Sequence, residues 1–355
     1  MKNIKLASLF LVSVLFLTGC SLTSGGNDGG MYRSDDGGKT FSAKNSITQN
    51  GKVGSISGVD VLSIAVNPQN GDEVYIGTKS SGILKTIDAG ENWQALKVSE
   101  LIAEKIYSMA VDQNDPKIVY ATVLIGKRAK IVKSEDAGEN WKEVYTEPAD
   151  GSLVLCLALD SQNPRNIYAG TDQGQIFFSE NGGESWRSLY WTESKKAIYK
   201  IAIDRFDPQL VYFAVFQNGI MRTKDGGKTF EQLKSETSSS QRDPFQNPTA
   251  ITTDPYRPEW VYAGTSEGLM RSKDAGDNWE TVKTLNKSQE QAIRSIAVNP
   301  QNSEEIIYAV SKAFYKSNDG GANWSTIQFV SNRSLEVAAY NQGKPGVIYA
   351  GLNKR

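Results

Sequence analysis

Residues able to do chemistry are unevenly supplied in this chain of 355 residues. Histidine is absent, which removes imidazole bases, imidazole-activated nucleophiles and histidine metal ligands. The two cysteines, Cys20 and Cys156, make neither a disulfide framework nor a cysteine-rich zinc site. No metal and no cofactor is therefore expected. Carboxylates are plentiful, 40 Asp and Glu against 39 Lys and Arg, for a net charge of −1. That balance gives no reason to expect a nucleic-acid partner. Glycosidic hydrolysis needs two carboxylates opposed across a sugar cleft. Asp60, Asp172, Glu193, Glu267 and Glu336 are available, and their spacing marks out no pair. Two segments have the composition of a binding surface, with cations beside aromatic rings or packed closely together. One is Gly126-Lys127-Arg128-Ala-Lys130; the other is Tyr190-Trp191-Thr-Glu-Ser-Lys195-Lys196. A solvated loop is the plainer reading of each.

The cysteines have different surroundings. Cys156 lies within Leu153-Val-Leu-Cys-Leu-Ala-Leu159 and reads as a buried core thiol. Cys20 follows Lys2, Lys5 and an apolar run from Leu6 to Leu17 that is too short for a permanent membrane helix. The run ends in Leu17-Thr-Gly-Cys20, which resembles a bacterial lipoprotein signal. That resemblance implies removal of residues 1–19 and lipidation of Cys20. Residues 20–30 are then a Gly/Ser-rich tether with an average reach of roughly 18 Å. Ser21 stands where an Asp would argue for inner-membrane retention. The expected location is the extracytoplasmic face of a bacterial envelope, on the outer membrane if there is one, with membrane contact through the lipid.

What must position any site is a repeat. An apolar run reaches a hydroxyl residue, then Asp at +2, Gly at +4 and an aromatic at +7. The clearest copy is Gly268-Leu-Met-Arg-Ser-Lys-Asp-Ala-Gly-Asp-Asn-Trp279. The third residue of the motif is Asp36, Asp88, Asp136, Asn181, Asp225, Asp274 and Asp319 in turn, and the aromatics recur every 44 to 52 residues. Short hydroxyl and carboxylate side chains bond to nearby N–H groups, and Gly accepts a positive φ, so each copy is a tight turn between strands. Between turns lie four short β-rich runs divided by Pro, Asn and Gly, a four-stranded antiparallel meander. The strands are called A to D. Strand A is expected near Val61, Ile106, Val154, Ile198, Ala250, Ile293 and Leu335. Strand B is expected near Tyr75, Tyr120, Tyr168, Tyr212, Tyr262, Tyr308 and Tyr349. Sheets apolar on both faces must stack, and radial stacking gives an all-β, seven-bladed β-propeller over residues 31–355. The chain enters at Met31 with strands C and D and leaves after Leu335 with strands A and B. These halves are expected to make one composite blade that closes the ring.

At this point the chain resembles the Asp-box, or BNR-type, propellers, over nearly all of residues 31–355. Its wording is similar to the photosystem II stability/assembly-factor family, and to repeats in sortilin-type receptors, xyloglucanases and sialidases. The first resemblance implies an assembly chaperone with a protein partner. The Asp-boxes themselves are expected to be structural. Function is then sought on the rim carrying the D–A and B–C connections, called the top. Lys44, Lys127, Arg128, Lys130, Lys195, Lys196, Lys312, Arg333 and others suggest a cationic top, with acids such as Glu304 and Glu305 below. At the channel mouth Tyr107, Tyr199, Lys200, Arg294 and Glu336 are expected. The last three either line a small anionic site or pair with one another. A column of cations ahead of the Asp-box hydroxyls, Arg33, Lys85, Lys133, Arg222, Arg271 and Lys316, follows from the repeat and reads as structural.

The sialidase resemblance lacks an Arg-Ile-Pro segment, and xyloglucanases of this repeat type place their cleft between two propellers where this sequence shows one. The leading expectation is a lipid-anchored protein-binding or assembly module that docks an acidic protein surface or membrane complex through Lys127, Arg128, Lys130, Tyr190, Trp191, Lys195 and Lys196. The alternative is a glycan-binding protein or glycoside hydrolase. If Cys20 carries the anchor, Cys20→Ala moves the protein into the soluble fraction with an unchanged circular dichroism spectrum. Persistence in the membrane fraction would place the anchor elsewhere.

Overall fold

A computed structural model describes residues 28–354 apart from 97–104, 149–151, 194, 234–244, 246, 266–267, 286–291 and 330. Cys20, the tether as far as Asn27, and Glu267 lie outside the described residues. Seven four-stranded antiparallel sheets form the blades, and no α-helix occurs among the described residues. Blade 1 runs Val61–Val66, Val74–Thr78, Ile83–Thr86 and Gln94–Ala95 as strands A to D. Strand A alternates buried and half-buried residues because one face packs on its blade while the other lines the central channel. Strand B is covered on both faces by neighbouring blades. Val74–Thr78, Ile167–Thr171, Val211–Val215 and Val261–Thr265 are accordingly buried throughout.

Close packing of blades requires a small residue at one point of strand B. The first A-strand side chain of the next blade presses there. A Cβ on Gly264 would lie 2.7 Å from Ile293, and one on Gly351 would lie 2.6 Å from Val61. Neither neighbour has room to withdraw, since Ile293 and Val61 are fully buried.

Each Asp-box is a hydrogen-bonded knot. In the first, the Gly38 N–H donates to Ser34 Oγ at 2.7 Å, and Ser34 Oγ donates to Asp36 Oδ1 at 2.8 Å. Asp36 Oδ1 also accepts from the Lys39 and Thr40 N–H groups, and Asp36 Oδ2 from the Thr40 hydroxyl at 2.6 Å. The same pattern recurs around Asp225, and Asn181 substitutes its amide oxygen in the fourth copy. Two successive left-handed residues make the bend, for example Gly226 at φ 68° and Gly227 at φ 90°. In three copies the first of the two is an alanine, Ala89, Ala137 or Ala275, held at φ 57–59°.

The cation column ties these knots to their neighbours. Arg33 donates to the Ala89 carbonyl, Lys85 to Ala137, Arg271 to Gly320 and Lys316 to Gly37, at 2.7–2.9 Å, and Arg222 reaches Ala275. Each bond runs from one blade to the Asp-box of the next, as the structural reading of the column expects.

The last blade is composite. Ser334–Tyr340 and Ile348–Asn353 supply strands A and B, and Gly30–Ser34 and Ser42–Ala43 supply C and D. Register runs from Gly30 opposite Leu352 to Ser34 opposite Ile348. Two details depart from the plain repeat. The connection from Ala43 to Gly58 holds a hairpin of Ser46–Gln49 and Lys52–Ser55 whose Ile47 lies beside Trp93. In blade 6, Ile307 faces Lys316 where Tyr75 faces Lys85 in blade 1, so Tyr308 is shifted one place and stacks on Tyr315 at 4.6 Å.

Deleting residues 346–355 removes a central strand containing the fully buried Ile348, Ala350 and Leu352. Chemical denaturation should show a loss of at least about 4 kcal/mol; an unchanged transition would refute the closure. The Asp-boxes also set an acid limit. Hydrogen bonds from the Thr40 hydroxyl and N–H hold Asp36 well below the usual carboxylate range, and Thr229 does the same for Asp225. The Asn140 and Asn323 N–H groups and amides depress Asp136 and Asp319. A depressed folded-state pKa stabilises above the unfolded value of about 4 and is lost as pH falls below it. Melting temperature should therefore drop between about pH 4 and pH 2, and Asp225→Asn, which copies the fourth box, should shallow that drop.

Candidate functional site

The residues that reach the channel mouth do so because of a repeated irregularity. In blade 1, Val61 lies opposite Thr78 and Ser63 opposite Gly77, which leaves Leu62 out of the ladder. A bulge of this kind frees one residue and turns its side chain out of the sheet. The same skip releases Tyr107, Leu155, Tyr199, Thr249 and Glu336 in their blades. Arg294, just ahead of strand Ser295–Asn299, takes the corresponding place in blade 6. One residue from every blade thus lines a cavity of about 450 Å³, together with Lys200, Phe216, Asn247 and Pro248.

Blade order divides the mouth into two arcs. Blades 1 to 4 contribute Leu62, Tyr107, Leu155 and Tyr199, an apolar and aromatic wall that Phe216 extends by meeting Tyr199 edge-on at 5.6 Å. Blades 5 to 7 contribute Thr249, Arg294 and Glu336. Arg294 Nη1 stands 3.9 Å from Glu336 Oε2, which is attraction without a hydrogen bond. Burial pushes the Arg294 pKa below its ordinary value, and the Glu336 charge opposes that shift. Burial raises the Tyr107 phenol, and the Asp172 charge adds to it. Lys200 lines both the mouth and its deeper continuation with Arg294 and Glu336, and makes no ion pair among the described residues. The structure brings together all five residues expected here. Sequence reading missed Leu62, Leu155, Thr249, Phe216 and Asn247; the signal for the first three was their place directly after the opening residue of each A run.

The rim is less uniformly cationic than expected. Lys127 lies in the B–C turn, whereas Arg128 and Lys130 belong to strand Arg128–Ser134, and the Lys130 ammonium rests on Glu143. Tyr190 and Trp191 lie on strand D, Arg187–Trp191, rather than on a connection. Tyr190 stacks on Phe230 of the next blade at 4.7 Å and is part of the packing. Trp191 stays 50% exposed, and Lys195 and Lys196 are exposed beyond it. Lys44 pairs with Glu91 at 2.5 Å in the next Asp-box, and Arg333 is buried against Asp60. The expected acids below are locally neutralised as well, Glu304 by Arg257 and Glu305 by Lys316. Of the candidate top acids, Asp60 also accepts from the Lys354 N–H, and Asp172 accepts from the Leu153 N–H and the Ser152 hydroxyl. Cys156 is buried with its thiol pushed up to about 12 by burial, as a core thiol should be. Among the described residues no cluster of acids and cysteines could hold a metal ion, and no helix is long and apolar enough to cross a membrane.

Two family descriptions match separate stretches. Residues 29–168 match "Sortilin, neurotensin receptor 3", and residues 190–333 match "Photosynthesis system II assembly factor YCF48". The chain is an Asp-box β-propeller. No curated protein sequence matches this propeller. Among solved structures it is similar to a GH74 xyloglucanase from Xanthomonas campestris, at 14% identity and TM-score 0.69, covering 83% of this chain and 51% of that one. It is also similar to YCF48 from Cyanidioschyzon merolae, at 17% identity and TM-score 0.62, covering 82% and 95%. A structure of YCF48 bound to D1 peptide matches at 14% identity and TM-score 0.60, covering 83% and 94%. The propeller spans about half the length of the GH74 enzymes it matches. At these identities the likeness shows the fold alone.

Proposed function

We propose that this propeller is an extracytoplasmic, lipid-anchored binding module that helps a membrane protein complex assemble, docking an acidic surface on its top rim. The observation that carries the reading is the half-exposed Trp191 beside Lys195 and Lys196, on the rim from which the amino-terminal segment departs. Asp28 is fixed on that rim by the Asn332 N–H at 2.5 Å and the Ser331 hydroxyl at 3.2 Å. From Cys20 to Asp28 the chain reaches at most about 28 Å when extended. An anchor at Cys20 would hold the top rim near the bilayer and its embedded partners. Protein binding also agrees with the YCF48 match, since one such protein was solved with a peptide bound. The channel mouth adds support, because Glu336 is the one carboxylate among its described lining residues and paired-carboxylate hydrolysis needs two.

The docking set narrows to Lys127, Trp191, Lys195 and Lys196. Exposed cations mainly set the association rate, and a desolvated aromatic sets the lifetime of a complex. In capture from host membranes, Lys195→Glu with Lys196→Glu should slow association and weaken its dependence on salt. Trp191→Ala should speed dissociation by roughly five- to hundredfold, about 1–3 kcal/mol for an aromatic anchor. Glu184→Lys, on the exposed opposite rim, is the control. Loss of capture from the control alone would mean that the wrong face was chosen.

A further inference from the structure

We propose that the channel mouth binds a small organic carboxylate with an apolar or aromatic body. Its carboxylate sits between Arg294 and Lys200, and its body lies against Tyr107, Tyr199 and Phe216. This site is separate from the rim around Trp191 and stands whether or not a protein docks there.

Charge selects the sign of the ligand. Two cations, Arg294 and Lys200, face one carboxylate, Glu336, across the mouth and its continuation below. Glu336 lies too far from Arg294 to satisfy the guanidinium by hydrogen bonding. A half-desolvated guanidinium with no hydrogen-bonded acceptor for its side chain among the described residues gains strongly from a bound anion, because charge-assisted bonds to carboxylate are the stronger class. The pKa of Arg294, lowered by burial, agrees with a cation short of partners.

Shape and polarity select the rest. Four consecutive blades offer the ligand Leu62, Tyr107, Leu155 and Tyr199, with Phe216 beside them and Lys200 as the one charged group, so hydroxyl-rich molecules find few partners on that side. Tyr199 is 37% exposed and meets Phe216 edge-on, leaving an open aromatic face toward the cavity. Inorganic phosphate would leave this wall unused, and a neutral sugar would leave both cations unpaired. A volume of about 450 Å³ is within the range of small-ligand sites.

The test is calorimetric titration of the full-length chain with phenylacetate, phenylacetamide and acetate. Phenylacetate should bind, with the amide and acetate each weaker by about tenfold or more. Arg294→Gln and Tyr199→Ala should each weaken phenylacetate by a similar factor, while Lys79→Gln, on a B–C turn of the same rim, should not. Lys200→Gln provides the same reading if Arg294→Gln melts early. Equal binding of acid and amide would overturn the proposal, as would no phenylacetate binding at millimolar concentration. Tighter binding of inorganic phosphate, or cello-oligosaccharide binding that survives Arg294→Gln, would overturn it as well.

Discussion

The contact between neighbouring blades is the constraint on which everything else depends. A blade is a sheet apolar on both faces, so none is stable alone, and each must be fixed against the next at one angle. Two devices do this along different edges. Near the channel, a small B-strand residue such as Gly264 or Gly351 lets the next A strand approach within van der Waals contact. Farther out, a cation or tyrosine on one blade donates to the main chain of the following Asp-box, as Lys85 and Tyr75 both do to Ala137. The first sets the distance and the second the twist. Only because the Asp-box knot is rigid can its carbonyl serve as a fixed acceptor.

The channel mouth follows from the same contact. The A strand must open with a large apolar residue to fill the space beside the small B-strand position, Ile106 against Gly77 or Ile198 against Gly170. The next residue drops out of the ladder and points into the channel. Packing therefore decides that every blade presents one side chain at the mouth, and leaves its chemistry free. Position is inherited from the fold, and identity is open to function. The aromatic residues of blades 2 and 4, and Arg294 and Glu336 of blades 6 and 7, are not required by the contact between blades.

The period, the blade count and the composite blade were legible because they rest on local signals, turn chemistry and strand length, repeated seven times. Five mouth residues were legible for the same reason, since Tyr107, Tyr199, Arg294 and Glu336 each follow a recognisable A-strand opening and Lys200 comes next after Tyr199. Pairing of charges was not. Lys130 meets Glu143 only because strands C and D lie side by side, and Arg333 meets Asp60 across a ring closure 273 residues long. Tyr190 looked like a rim aromatic until Phe230 of the next blade covered it. Sequence spacing places a residue on a strand or turn, whereas its partner comes from whichever blade is packed beside it. The shift that moves Tyr308 beside Tyr315 is one more case, a single-residue register change hidden inside an unbroken apolar run.

The strand Gly30–Ser34 is the first described strand of the chain, and it enters from the top rim with five residues paired to Ile348–Asn353 and a further pairing to Ser42–Ala43. Suppose a pull is directed along that strand's own axis. All five pairs would then be loaded together in shear, instead of parting one at a time as they would if peeled from the side. The seam that joins the first and last described strands would thus also act as a mechanical clamp against force in that direction.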